Sequence, residues 1–233
     1  MASTLRVVSL VPSVTETLLS WGIEPIACTR FCEQPSMNHV GGTKDPDVDA
    51  IEKLNPDLVV VDREENRLED YQALRSRGIE VESLHVASLD DVGSEMRRLA
   101  GRVGVEWSHV LSPRRASRGV RAFVPIWRRP WMTIGADTYG ATVLSHLGID
   151  VVFANSDDTY PVIEERQLME AEIDVVLAPS EPYPFGERHL DLLKSIAPVM
   201  FVDGQDLFWW GARTSVAIDR LDERLQSSID GGR

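Results

Sequence analysis

Residues 55–64, N-P-D-L-V-V-V-D-R-E, carry four consecutive apolar side chains, Leu58 to Val61, closed by Asp57 and Asp62. A run of this length without polar alternation has no wet face. It predicts a strand buried on both sides, as in a parallel sheet covered by helices. Residues 172–181, E-I-D-V-V-L-A-P-S-E, repeat the pattern: Asp174 stands where Asp57 stood, and Glu181 where Glu64 stood.

The flanks of the first run fit the same plan. A helix is expected around Val48 to Leu54, and another from Leu68 to Arg77, stopped by Gly78 before I-E-V-E-S-L (79–84) returns as a strand. Upstream, R-V-V-S-L (6–10) reads as a strand. Ser13 and Glu16 form a capping-box pair, predicting a helix from about Val14 to Trp21 that ends at Gly22, and I-A-C-T (26–29) follows as a short strand. Strands alternate with helices, which argues for an α/β class with parallel sheet.

The second half repeats the order. Residues 131–152, W-M-T-I-G-A-D-T-Y-G-A-T-V-L-S-H-L-G-I-D-V-V, mirror residues 7–26, with Gly148 in the place of Gly22, and A-P-V-M-F-V (197–202) answers G-I-E-V-E-S-L. Three correspondences in one order indicate two related lobes. Between them Ser88 can cap a helix with Asp90 and Asp91 in its first turn. Val92, Met96, Leu99 and Val103 follow helical spacing, so the helix runs to about Val103 or, kinked, to Leu111. The basic stretch 112–119 then leads into R-A-F-V-P-I. The expected division is a lobe over 1–87, a connection over 88–119 and a lobe over 120–233. A stiff connector implies a cleft between lobes, where ligands are expected.

Composition narrows the function. The 233 residues are 43% hydrophobic, which suits a globular core, and 24 basic against 37 acidic residues give a net charge of −13. That field disfavours nucleic acid and anionic membrane as partners. No apolar run approaches the length of a membrane span. The first residues show no signal-peptide pattern, so the chain as given reads as cytoplasmic, or as extracytoplasmic if a leader was removed. It is expected to act as a monomer. No dinucleotide, phosphate-loop, G-x-S-x-G or H-E-x-x-H motif occurs. His39, His85, His109, His146 and His189 are scattered, and Cys28 and Cys32 alone make no metal cluster, so a bare metal ion is disfavoured. Ser13, at a helix start with no histidine assigned nearby, suits an anion better than nucleophilic attack.

Ligands of parallel sheets meet the C-terminal ends of strands. That selects the loops 11–13, 29–35 with Phe31, and 62–66 in the first lobe. In the second it selects Trp127 and Trp131 (a turn, since Pro125 and Pro130 flank them), Tyr139, Tyr183, Phe185 and the run D-G-Q-D-L-F-W-W-G-A-R over 203–213. In an extended segment three successive aromatics cannot share a face. Trp209 and Phe208 are the ligand candidates and Trp210 the anchor. Arg213 suits either a carboxylate or phosphate of the ligand or a salt bridge.

Together, R-V-V-S-L-V-P-S-V-T-E-T-L, V-G-G-T-K-D-P-D-V-D-A-I, L-N-P-D-L-V-V-V-D-R-E-E-N, F-V-P-I-W-R-R-P-W-M-T-I-G and the 203–213 run resemble the helical-backbone metal-receptor group. These are substrate-binding proteins that capture vitamin B12 or iron chelates for ABC importers. The resemblance implies two Rossmann-like lobes with parallel sheets, joined by a single bridging helix that is shortened here. It implies no catalysis, no cofactor beyond the ligand, a metal-chelate ligand held by aromatic side chains, and an ABC permease as partner. In the group a surface glutamate of each lobe docks on the permease, and Glu64 and Glu181 are the candidates. Gln34 stands where many relatives carry histidine. The alternative is a cytoplasmic enzyme or cofactor carrier built on this scaffold.

Overall fold

The computed structural model describes residues 5–231. The chain divides into two compact units. One comprises Met1–Val86, Asp90–His109 and Trp210–Ala212; the other comprises Ala87–Leu89, Val110–Trp209 and Arg213–Arg233.

The first unit contains β1 (Val7–Ser9), α1 (Pro12–Ser20), β2 (Ala27–Cys28), α2 (Val48–Lys53), β3 (Leu58–Asp62), α3 (Leu68–Ser76) and β4 (Val81–Leu84), and all but the first residue of α4 (Leu89–Val103). Its sheet has the order β2-β1-β3-β4 with every pair parallel. All five residues of β3 are buried, as its unbroken apolar run requires. Val8, Val59 and Val61 of the sheet pack with Ile51 of α2 and Leu74 of α3. Each such side chain is worth about 1.5–3 kcal/mol on burial.

Helix α1 starts earlier than expected. Its N-cap is Val11, with no side-chain cap bond, and proline occupies the first turn. Pro12 has a preset helical φ and no N–H to satisfy, so it starts the helix without help from Ser13. The other end is as read: Gly22 has φ +75. Helix α4 stops at Val103 without a kinked extension. Gly104 takes φ +76 and the Val105 N–H returns to the Ala100 carbonyl at 2.9 Å, a glycine-stopped helix end.

The second unit contains β5 (Val120–Phe123), β6 (Trp127–Arg128), β7 (Trp131–Met132), α5 (Tyr139–His146), β8 (Ile149–Val151), β9 (Val162–Ile163), α6 (Glu165–Glu170), β10 (Val175–Pro179), α7 (Leu190–Lys194), β11 (Val199–Val202), α8 (Gly204–Phe208) and α9 (Thr214–Gly231). Its parallel sheet, β11-β10-β5-β8, repeats the order of the first. The repeat extends to single bonds. The Asp57 carboxylate accepts from the Arg6 N–H, and the Asp174 carboxylate accepts from the Arg121 N–H, each at 2.8 Å. Each aspartate N–H in turn donates to the same arginine's carbonyl at 2.9 Å.

One correspondence is corrected. The helix before Gly148 does match α1, but residues 131–135 are not its strand. The counterpart of β1 is β5. Trp131 and Met132 instead form β7 of a small antiparallel sheet, β6-β7-β9, whose β6-β7 hairpin is inserted between β5 and α5 and whose third strand, β9, follows β8. The insert is fastened to the parallel sheet by the Thr133 hydroxyl, which donates to the Val124 carbonyl at 2.7 Å.

Candidate functional site

In the second unit β5, β10 and β11 are neighbours, so the loops that follow them leave one edge of the sheet. Two of these loops build an aromatic column. Trp127 is 45% exposed, and its indole meets Tyr183 edge-on at 5.4 Å. Tyr183 lies 4.6 Å from Phe185, Phe185 stacks on Trp131 at 6.3 Å, and Trp131 meets Phe123 at 6.0 Å. The column therefore runs from a solvent-facing indole into the core. Such ring pairs contribute about 0.5–1.5 kcal/mol each beyond area burial.

His189 sits beside this column, a role its sequence position did not reveal. Its Nδ1 accepts from the Gly186 N–H at 3.2 Å, and its Nε2 lies 3.5 Å from the Tyr183 hydroxyl. Burial first, then Arg188 and Arg128, depress its pKa, so the ring is neutral around pH 7. A neutral ring leaves Nδ1 free to accept and fixes the side of the loop that carries Tyr183 and Phe185.

The 203–213 run is not extended. Asp203 caps α8 by accepting from the Gln205 N–H at 2.9 Å, so Phe208 ends a helix and Trp209 is its C-cap. The half-buried Phe208 lies over α5, where a Cβ added to Gly140 would stand 2.9 Å from its ring. Trp209 is half-buried beneath the Arg213 guanidinium, 5.1 Å from the ring centre. Arg213 bonds Asp206 at 3.3 Å and Gln205 Oε1 at 3.0 Å, so the ion-pair reading of this arginine describes what it does here. Trp210 is buried.

Trp131 and Tyr139, expected to face a ligand, are interior at 7% and 5% exposure. Trp131 is held between Phe185 and Phe123. The Tyr139 hydroxyl donates to Thr214 Oγ1 at 3.2 Å, and burial pushes its pKa up to about 12.

In the first unit Ser13 lies buried in the first turn of α1, where its carbonyl accepts from the Thr17 hydroxyl at 2.8 Å. Phe31 is 51% exposed, with the Arg30 guanidinium 4.8 Å from its ring centre. Glu64 is exposed on the loop after β3, whereas Glu181 is half-buried against Gly204.

The residue that organises this unit's loops is Asn66, which the sequence did not single out. Its Oδ1 accepts from the Asp62 N–H at 2.8 Å. Its Nδ2 donates to the carbonyls of Leu10 at 3.1 Å and Thr43 at 2.9 Å. One buried amide thus ties the ends of β1 and β3 to the segment before α2. No local pattern announces such a bond set, because its partners are distant in sequence. Beside it, Asp62, Arg63, Asn66, Arg67, Tyr71 and Ser83 help line a cavity of about 430 Å³.

Asp62 supplies a pH prediction. Burial raises its pKa, against the opposing N–H donors of Glu64, Glu65 and Val86. A carboxyl raised in the folded state contributes stability below its unfolded pKa, about 3.9, and loses it as pH rises through the folded value. Asp62→Asn removes that titration. Urea unfolding of both proteins across the pH range should show the variant gaining on the wild type as pH rises from below 4. A pH-independent difference would refute the assignment.

Among the described residues no three His, Cys, Asp or Glu side chains gather to hold a metal ion. Among those residues, too, no helix is long and apolar enough to cross a membrane.

No family model matches the chain. It is 24% identical over 188 residues to a vitamin B12-binding protein of Salmonella typhimurium, covering 70% of this chain and 68% of the relative. Against the vitamin B12-binding protein of Yersinia pestis it is 26% identical over 191 residues, covering 74% and 68%. The periplasmic vitamin B12 binding protein BtuF of Vibrio cholerae superposes with TM-score 0.74 at 18% identity, over 96% of this chain and 97% of that one. The periplasmic heme-binding protein HutB of the same organism gives 0.75 at 19% identity, over 96% and 99%. With its two matching parallel α/β units, the chain has the fold of the class III substrate-binding proteins.

Proposed function

We propose that this protein binds, without transforming, a metal chelate of the corrin or haem type and presents it to an ABC permease. The observation that carries the reading is Trp127, an indole 45% exposed yet braced by Tyr183 and the buried rings behind it. A large aromatic left in water but held rigid offers a flat apolar face at little conformational cost, which suits a macrocycle. The names of the relatives, vitamin B12-binding and heme-binding proteins, point to the same ligand class. Trp127 and Tyr183 are the proposed main contacts. Phe208, Trp209 and Phe31 are proposed as further ligand-facing rings, and Glu64 and Glu181 as the docking carboxylates.

Titration with cyanocobalamin and with haemin, followed by tryptophan fluorescence, tests this. At least one should quench the signal with saturation, and Trp127→Ala should weaken that binding about 10- to 100-fold, leaving the unfolding midpoint close to the wild type. No response to cobalamins, haem or ferric siderophores at roughly tens of micromolar would overturn the ligand class.

A further inference from the structure

The small sheet β6-β7-β9 has a face that the aromatic column leaves uncovered. In its register Trp127 stands opposite Met132 and Met132 opposite Val162, so one side chain from each strand lines up in a single cross-strand row. The other row is Arg128, Trp131 and Ile163. Trp131 and Ile163 are buried in the core with Phe123 and Phe185, so that row is the inner one. The outer row meets water: Trp127 is 45% exposed, Val162 is 55% exposed and Met132 is half-buried.

This pattern is inverted. An antiparallel sheet covered on one side commonly turns its polar residues to the solvent. Here the one charged residue of the three strands, Arg128, belongs to the inner row, and the outer row is wholly apolar. Single exposed apolar side chains are ordinary, whereas a row across three strands is a patch, and patches mark binding surfaces. With strands about 4.8 Å apart, the row is about 10 Å wide. Neither end has much freedom to lose: Tyr183 braces the indole of Trp127, and Val162 is β-branched.

We propose that this outer row is the ring platform of the ligand site, with Met132 and Val162 as specificity-determining contacts beside Trp127, and that it selects an open-faced planar tetrapyrrole of the haem type over a corrinoid. This rests on the reading of the protein as a metal-chelate binder and narrows it. A row with no strong hydrogen-bonding group gains only from contact with a bare ring face, to which the Met132 sulfur adds a polarizable surface. The faces of cyanocobalamin are not bare. Axial groups occupy both sides of its metal, and amide arms rise above and below the ring. Pressed on this row, those amides lose water and gain no partner, a cost that haem escapes because its carboxylates sit at the ring edge.

Methyl NMR and titration of the full chain test this. With 13C-methyl methionine in the protein, haemin should erase the Met132 signal first among the six methionines, because iron(III) broadens nearby nuclei; Met132→Leu assigns the peak. Val162→Thr keeps the side-chain shape but puts a hydroxyl on the platform, and haemin affinity should fall about fivefold or more. Val216→Thr, on α9 and similarly exposed, should change it by less than about twofold. Cyanocobalamin should bind the wild type at least about tenfold more weakly than haemin. A Met132 signal that survives saturation with haemin, Val162→Thr binding like the wild type, or cyanocobalamin binding as tightly as haemin would each overturn the platform while leaving metal-chelate binding intact. If neither probe binds, the broader reading falls together with the platform.

Discussion

Gly211→Ala should lower stability by about 3–5 kcal/mol, out of the roughly 5–15 kcal/mol typical of a folded protein. Gly211 has φ +117, a conformation that L side chains rarely adopt. A Cβ there would stand 2.2 Å from Thr17 Oγ1 and 3.4 Å from Met96 Sδ. The hydroxyl has no room to retreat. It donates to the Ser13 carbonyl at 2.8 Å and accepts from the Ala212 N–H at 3.0 Å. Backbone strain of about 1–3 kcal/mol and overpacking of about 1–3 kcal/mol therefore add, or relief of the second breaks two buried hydrogen bonds. Gly186→Ala is the control, since its φ of −169 is ordinary extended backbone and a Cβ there meets nothing within 4 Å. Urea unfolding should separate the variants plainly, with Gly186→Ala near the wild type. A Gly211→Ala loss below about 1 kcal/mol would show that the segment around Thr17 yields more easily than its hydrogen bonds suggest.

What was legible in the sequence had a physical signature that no competing effect could mask. Leu58 to Val61 has no polar alternation, so no half-exposed strand fits it. Gly22 and Gly148 stop helices because each takes a positive φ at the same point of the repeat. The misread features were short or contested. β6, β7 and β9 are two residues each, too short to show a period, so the inserted sheet passed as the first strand of the repeat. At α1 two helix-start signals overlapped by one residue, and Pro12 prevailed over Ser13.

The site followed the same rule. The aromatic side chains do follow the strands β5 and β10 in loops, but which rings meet water depended on pairing across the insert. Trp127 is opposite Met132 and Trp131 opposite Arg128, so the two indoles project from opposite faces of the hairpin. Four residues of separation could not reveal that. Helix α8 hid inside 203–213 because five residues span little more than one helical turn.

Asp206→Ala is expected to cost about 3–5 kcal/mol, the range for breaking a buried ion pair from one side. The Asp206 carboxylate is 6% exposed and accepts from Arg220 Nε at 2.8 Å and from Arg213 at 3.3 Å, so two guanidinium groups lose their shared anion. The two arginines separate contact distance from burial. Arg220 makes the shorter bonds but is 48% exposed, whereas Arg213 is 14% exposed and also covers Trp209. Water screens the first pair and leaves a coupling of about 1 kcal/mol or less. The second acts through a lower dielectric, where the same charges interact several times more strongly. Double-mutant cycles of Asp206→Ala with Arg213→Ala and with Arg220→Ala should therefore give the larger coupling to Arg213, despite its longer bond. The Arg213 variants alone should also shift the tryptophan emission, because Trp209 loses its cover. If the Arg220 coupling proves larger, contact distance outweighs burial at this site, and Arg213 is freer than its bonds imply to turn from Asp206 toward a carboxylate or phosphate of the proposed ligand.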